Sequence, residues 1–209
     1  MKALWIIGAG GHGKVVADIA RKNGYDTIAF LDDRGGITSC GGYPVCGKTD
    51  RFRDSEGDFF VAIGNPAVRR RFQAALEGHG KNVVTLIHPS AVIGENVTVG
   101  AGTVIVAGAV VNPGAAIGKG CIINTCSSVD HDCVIGEYSH ISVGAHIAGT
   151  VKVGNGVWIG AGATVINNLS VCDGTFLGAG AVAVKNIAEP GIYIGVPAKK
   201  KHENSDSCQ

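Results

Sequence analysis

Two short stretches of the chain hold residues whose types and spacing could do chemistry. The first is Gly8-Ala9-Gly10-Gly11-His12-Gly13, a GxGxxG run followed about 20 residues on by Asp32 and Asp33. Glycines at a helix N-terminus let backbone N–H groups approach a phosphate closely. The two acids could meet ribose, base or sugar hydroxyls, or simply cap a strand end. The second is His131-Asp132. A neutral imidazole near pH 7 can take a proton from an attacking ammonium or hydroxyl, although a lone histidine can equally be a solvated surface residue.

The elements that must position these residues fall into two textures that meet near residue 87. Residues 3–8 read as a buried strand and 11–24 as a helix stopped by Gly24. Strands follow at 26–33 and 58–64, a second amphipathic helix at 66–80, and a closing strand at 82–87. This order predicts a small parallel α/β sheet with right-handed crossovers over residues 1–86. Such a half-Rossmann unit lacks the two mononucleotide halves that a dinucleotide occupies, and suits one nucleoside diphosphate.

From Ile93 to Leu177 every sixth residue is Ile, Val or Leu, fifteen positions without a miss. A small residue often stands four places after each lead, as at Thr103, Ala109 and Cys121. Glycine often follows the lead directly, as at Gly94, Gly100 and Gly118, where it would ease a turn. Period six predicts a solenoid, with the aliphatics filling its interior and each coil hydrogen-bonding to the next at about 4.8 Å. Cys121 and Cys133 then become interior packing residues. His88 belongs to the entry segment of the first coil.

The hexads resemble those of the hexapeptide-repeat acyltransferases, which implies a left-handed parallel β-helix of 18 residues per coil, here five coils over residues 87–200. It also implies a homotrimer with active sites between subunits. With 18 residues per coil, His131 lies one coil below Gly149. A general base beside a backbone N–H that can face a developing oxyanion is what acyl transfer needs.

Residues 124–149, NTCSSVDHDCVIGEYSHISVGAHIAG, are similar to the active-site stretch of sugar acetyltransferases of the PglD and NeuD kind. The resemblance implies that His131 is the catalytic base, with Asp132, a residue often Glu in that family, raising its basicity. It implies that His140 contacts the acetyl-CoA arm and that the Gly149 N–H meets the thioester carbonyl. Ala161 and Ala179, one coil apart, would bind pantetheine through their amides, and Asn124 would be a substrate or scaffold polar group. His146 would be structural or line the cleft. In the N-terminal half, Gly11, His12, Gly13, Asp32, Asp33, Gly64 and Asn65 match the family's G-x-x-G-H-G, F-L-D-D and A-I-G-N motifs, which hold the acceptor's nucleotide. The implied activity is acetyl-CoA-dependent N-acetylation of a nucleotide-linked amino sugar, such as a UDP-4-amino sugar. O-acetylation of a sialic-acid-type sugar is a second possibility on the same scaffold. A third class is an NAD-binding or scaffold protein with the solenoid as oligomerisation domain.

Composition narrows the classes further. Lys+Arg 18 against Asp+Glu 17 leaves no polyanion footprint, so no nucleic-acid partner is expected. Seven cysteines without a CxxC pair predict free thiols and no metal site. No stretch approaches the length of a membrane span and no signal peptide is evident, so a cytoplasmic protein is expected. Residues 201–209 read as a disordered tail.

Overall fold

The computed structural model describes residues 2–201; beyond Lys201, the expected tail lies outside the described residues. Strands β1 (Ala3–Ile7), β2 (Thr27–Leu31), β5 (Asp58–Val61) and β6 (Asn82–Val83) form a parallel sheet in the order β2-β1-β5-β6. A small antiparallel hairpin, β3 (Ser39–Cys40) and β4 (Tyr43–Pro44), follows β2. Helix α1 (Gly11–Lys22) buries Val16, Ala17, Ile19 and Ala20 against the sheet, and Gly24 beyond its end takes a left-handed φ of 83°. Helix α2 (Pro66–Gly78) starts with Asn65 as N-cap, its side chain accepting from the Val68 N–H at 3.0 Å.

The segment expected as one closing strand over 82–87 is divided. Asn82–Val83 pairs with Asp58–Phe59, whereas Leu86–Ile87 pairs with Val104–Ile105 as the first rung of the β-helix. The six-residue phase continues one step past both ends of the uninterrupted aliphatic run, to Ile87 and to Ala183. The solenoid therefore has about six coils rather than five, with six strands on one of its faces.

Two-residue strands build three flat faces. The first face runs from Leu86–Ile87 through His140–Ile141 to Phe176–Leu177, the second from Val92–Ile93 to Val182–Ala183, and the third from Thr98–Val99 to Ser170–Val171. The leads from Ile105 to Leu177 are all at most 4% exposed, with Ala109, Ala115, Cys121, Cys133 and Ala145 packed between them. Ile93 is 37% exposed because it stands at the open base of the stack.

Glycine after the lead does a different job from the expected one. The left-handed backbone falls three places after each lead, from Asn96 to Gly180. Gly94, Gly100 and Gly118 are instead contact positions, where a Cβ would lie within 2.4–2.7 Å of the next coil's backbone. Most left-handed positions are glycine, but Asn96, Cys126, Asp132, Tyr138, Thr150 and Asn168 are not. Asparagine and aspartate tolerate this conformation, whereas it costs about 1–2 kcal/mol at Cys126, Tyr138 and Thr150; Asp132, Thr150 and Asn168 stack on the corner that carries His131.

The N-terminal domain sits on the lower part of the first face. Leu86, Val104, Val106 and Ile122 share one core cluster with Val16, Ile19, Phe30 and Phe60. Asn23 adds a hydrogen bond to the Ile87 carbonyl at 2.9 Å.

Candidate active site

The second–third corner carries His131, Asp132 and Gly149. Asp132 adopts φ 58°, which turns its carboxylate onto His131, Nδ1 to Oδ2 at 2.9 Å. Aspartate therefore makes the contact despite its short side chain. Asp130 accepts from the His131 N–H at 2.8 Å and from Asn112 at 2.8 Å, fixing the start of the corner. The hydrogen bond to Asp132, with Asp130 and Asp132 adding charge, raises the His131 pKa above the ordinary histidine value.

With Nδ1 held by Asp132, Nε2 is the free basic nitrogen, and it stands against Gly149 of the next coil. A Cβ at residue 149 would be 2.5 Å from Nε2 and 2.7 Å from Cε1, so only glycine fits beneath the ring as placed. Among the described residues the Gly149 N–H donates to no carbonyl.

The first–second corner carries the residues expected to meet coenzyme A. Ala161 and Ala179 are exposed and one coil apart, joined by the Gly180 N–H to the Ala161 carbonyl at 2.8 Å. Asn124 lies lower on this corner, its Oδ1 accepting from the Thr125 N–H at 2.8 Å and its amide meeting His140 Nε2 at 3.0 Å. The His140 ring stands 4.8 Å from Trp158, which stands 5.6 Å from Phe176. His146, on the second face between the two corners, bonds Ser128 at 2.9 Å. The His88 ring bonds within its own turn, to Ser90.

His12, on the first turn of α1, packs close to His140. Burial, reinforced by the Arg69 charge, pulls His12 down to about 4. Burial first, then His12 and Arg69, pulls His140 down to about 3. Both rings are neutral at pH 7. His12 Nε2, His140 Nδ1 and Ser142 Oγ are buried without an in-chain partner, so this junction presents polar atoms that a ligand can satisfy.

The glycine-rich loop makes a tight turn from β1 into α1. Gly8 has φ 105°, and at Gly13 a Cβ would run into the Gly8 carbonyl, so strand and helix approach closely. Gly11, His12 and Gly13 form the first turn of α1, whose cap residue is Gly10, with no side-chain cap bond. The cleft beside them, about 290 Å³, is lined by Gly8, Gly10, Asp32, Asp33, Arg34, Thr49, Ala62, Ile63 and Phe72.

The two acids at its edge are already engaged. Asp32 accepts from the Ala9 N–H at 2.7 Å and from Arg34 at 2.8 and 2.9 Å, which holds its pKa well below the carboxylate range. Asp33 accepts from Thr49 N–H and Oγ1 at 2.9 and 2.8 Å. Both carboxylates are thus oriented by in-chain donors at the edge of the cleft that they line. Asn65 is a helix cap, and the Gly64 carbonyl accepts from Arg69.

Sequence reasoning passed over Arg34, Trp158 and Arg69. Trp158 was findable, since it stands 18 residues after His140. Arg69 lies on the buried face of α2 with Gln73 and Leu76, an anomaly in an amphipathic pattern. Among the described residues no cluster could hold a metal and no helix is long and apolar enough to cross a membrane.

A six-residue repeat wound at 18 residues per coil, joined to a small parallel α/β domain with a glycine-rich loop, defines the architecture of hexapeptide-repeat acyltransferases. Comparison with known proteins narrows it. The PglD N-terminal domain model matches residues 3–76. UDP-N-acetylbacillosamine N-acetyltransferase of Bacillus subtilis (strain 168) is 37% identical over 114 residues, 51% of this chain and 52% of that protein; the match thus spans about half that relative's length. The acetyltransferase domain of PglB from Neisseria gonorrhoeae FA1090 has TM-score 0.93 and 40% identity, covering 96% of this chain and 100% of that one. A mutant of perosamine N-acetyltransferase from Caulobacter crescentus, in complex with CoA and GDP-perosamine, has TM-score 0.93 and 36% identity over 97% of this chain and 98% of that one. The chain belongs to the PglD-type family of sugar acyltransferases.

Proposed function

We propose that the protein transfers the acetyl group of acetyl-CoA to the amine of a nucleotide-linked amino sugar, a UDP- or GDP-4-amino sugar. The observation that carries this reading is the His131–Asp132–Gly149 arrangement: an oriented base whose free nitrogen stands against Gly149, a residue whose backbone N–H has no carbonyl partner among the described residues. The sugar amine attacks the thioester carbonyl while His131 Nε2 takes its proton. The Gly149 N–H faces the oxyanion of the tetrahedral intermediate. Collapse breaks the C–S bond, and the departing thiolate takes the proton from His131. Asp132 stabilises the imidazolium that forms between these steps. Neutral His140 and the amides of Ala161 and Ala179 hold the donor. The α1 N-terminus, with His12, holds the acceptor's diphosphate.

The same geometry supports a homotrimer. His131 sits on the corner opposite the first face, whereas His12, His140 and Asn124 sit on that face or its edge. The two halves of the site cannot meet within one chain, and a neighbouring copy would bring its His131 to them.

The experiment is thiol release from acetyl-CoA against UDP- and GDP-linked 4-amino sugars and free sialic acid, with wild type and His131→Ala. Turnover with an amino-sugar nucleotide, reduced at least about 100-fold in His131→Ala, supports the proposal. Turnover with sialic acid alone would sink it and favour O-acetylation.

A further inference from the structure

Helix α2 lies along the third–first corner of the β-helix, and its pitch nearly matches the coil spacing. A helical turn rises about 5.4 Å and coils are about 4.8 Å apart, so residues three or four apart on α2 meet successive coils. Gln73 donates to the Ala101 carbonyl at 3.0 Å. One turn earlier, Arg69 donates through Nε to the Gly120 carbonyl and through Nη2 to the Tyr138 carbonyl, both at 2.6 Å. Pro66 then lies against Gly156 on the next coil.

The same guanidinium turns Nη1 back to its own domain, onto the Ile63 and Gly64 carbonyls at 2.7 Å each. Arg69 is 1% exposed, and among the described residues it forms no ion pair. A buried cation without a counter-charge is costly, and an apolar residue of like volume is often tolerated better. What an apolar residue or a lysine cannot do is satisfy four carbonyls at once, a task suited to the rigid five-donor fork of arginine.

Those four carbonyls tie together the places that matter. Ile63 lines the nucleotide cleft, and Tyr138 stands two residues before His140 on the same coil. We propose that Arg69 is a positioning residue: it fixes the register of the N-terminal domain on the coil stack, so that a sugar held by its nucleotide presents its amine to the acetyl group. This rests on the acetyl transfer proposed above.

The test compares wild type with Arg69→Lys and Arg69→Met. UDP, GDP and acetyl-CoA binding are read by calorimetry, turnover is expressed per binding-competent site, and amide hydrogen exchange is followed by mass spectrometry. The nucleotide contacts and the coenzyme contacts each lie within one domain type, so each Kd is expected to stay within about threefold. The kcat per competent site is expected to fall roughly 30- to 100-fold in both variants, the cost of misplacing reacting groups by about 1 Å. Exchange is expected to rise over 62–66 and 118–124 and to stay unchanged over 146–183. A residue that only stabilised the fold would lower the melting temperature and the number of competent sites, leaving kcat per site intact. That result, or unchanged exchange at the junction, overturns the proposal. If wild-type protein turns over no amino-sugar nucleotide, the acetyl-transfer reading fails, and the exchange comparison still decides whether Arg69 sets the register.

Discussion

Replacing Gly149 by alanine isolates the geometry of the base from the stability of the coil. The added Cβ would stand 2.5 Å from His131 Nε2, against about 3.4 Å where ordinary contact begins. The ring must therefore retreat by about 0.9 Å or rotate off Asp132. Displacement of a reacting group by about 1 Å costs on the order of 100-fold in rate. The backbone at residue 149 is not left-handed, so alanine is not strained there, and loss of glycine freedom in the unfolded chain adds up to about 1 kcal/mol of stability. Gly149→Ala should melt at or slightly above the wild-type temperature, bind acetyl-CoA with similar affinity, and show kcat reduced about 100-fold. Steady-state thiol release with a saturating acceptor, together with a thermal melt, measures all three. A kcat within about threefold of wild type would refute the placement of His131 over Gly149 as the reacting arrangement.

Asp132→Asn keeps a residue that tolerates the left-handed conformation but removes the charge that raises His131. The His131 pKa should fall, so the acidic limb of the kcat/KM profile moves to lower pH while the plateau drops roughly tenfold as the base weakens; an unmoved limb would count against the pair. His12 and His140 titrate in the opposite sense. Their folded pKa values lie below the ordinary 6.5, so between pH 6.5 and about 4 the unfolded chain binds protons that the folded chain refuses. Stability should decline as pH falls through that window, by up to roughly 1.4 kcal/mol per pH unit for each histidine. Melts of His140→Gln across the same range should show a shallower decline than wild type, and an identical slope would contradict the burial assigned to that ring.

Much of the molecule was legible in its residues because local rules and global fold agree. A lead aliphatic every sixth residue can bury itself only if the chain closes a coil, and that constraint carried the solenoid; the 18-residue coil that stacks Gly149 on His131 came from the family resemblance. The glycine-rich loop was equally readable, since Gly8 and Gly13 meet steric demands set within one strand–turn–helix unit. The phase alone did not reveal which glycines take the left-handed backbone and which permit coils to touch, because both occur at fixed offsets from the lead.

What the tertiary structure alone decided concerns partners distant in sequence. The sequence does not show that Ala9, Arg34 and Thr49 orient Asp32 and Asp33 at the cleft edge. Asp132 looks too short for its role until its φ of 58° swings it onto His131. The low pKa values of His12 and His140 arise from the meeting of two domains, which no single-segment pattern encodes. Arg69 is the clearest instance. On a helix wheel it is one misplaced cation, and only the docking of α2 against the coils shows four carbonyls converging on it. Short-range sterics and hydrophobic period set the elements, whereas the solvation of buried polar groups depends on which elements happen to close over them.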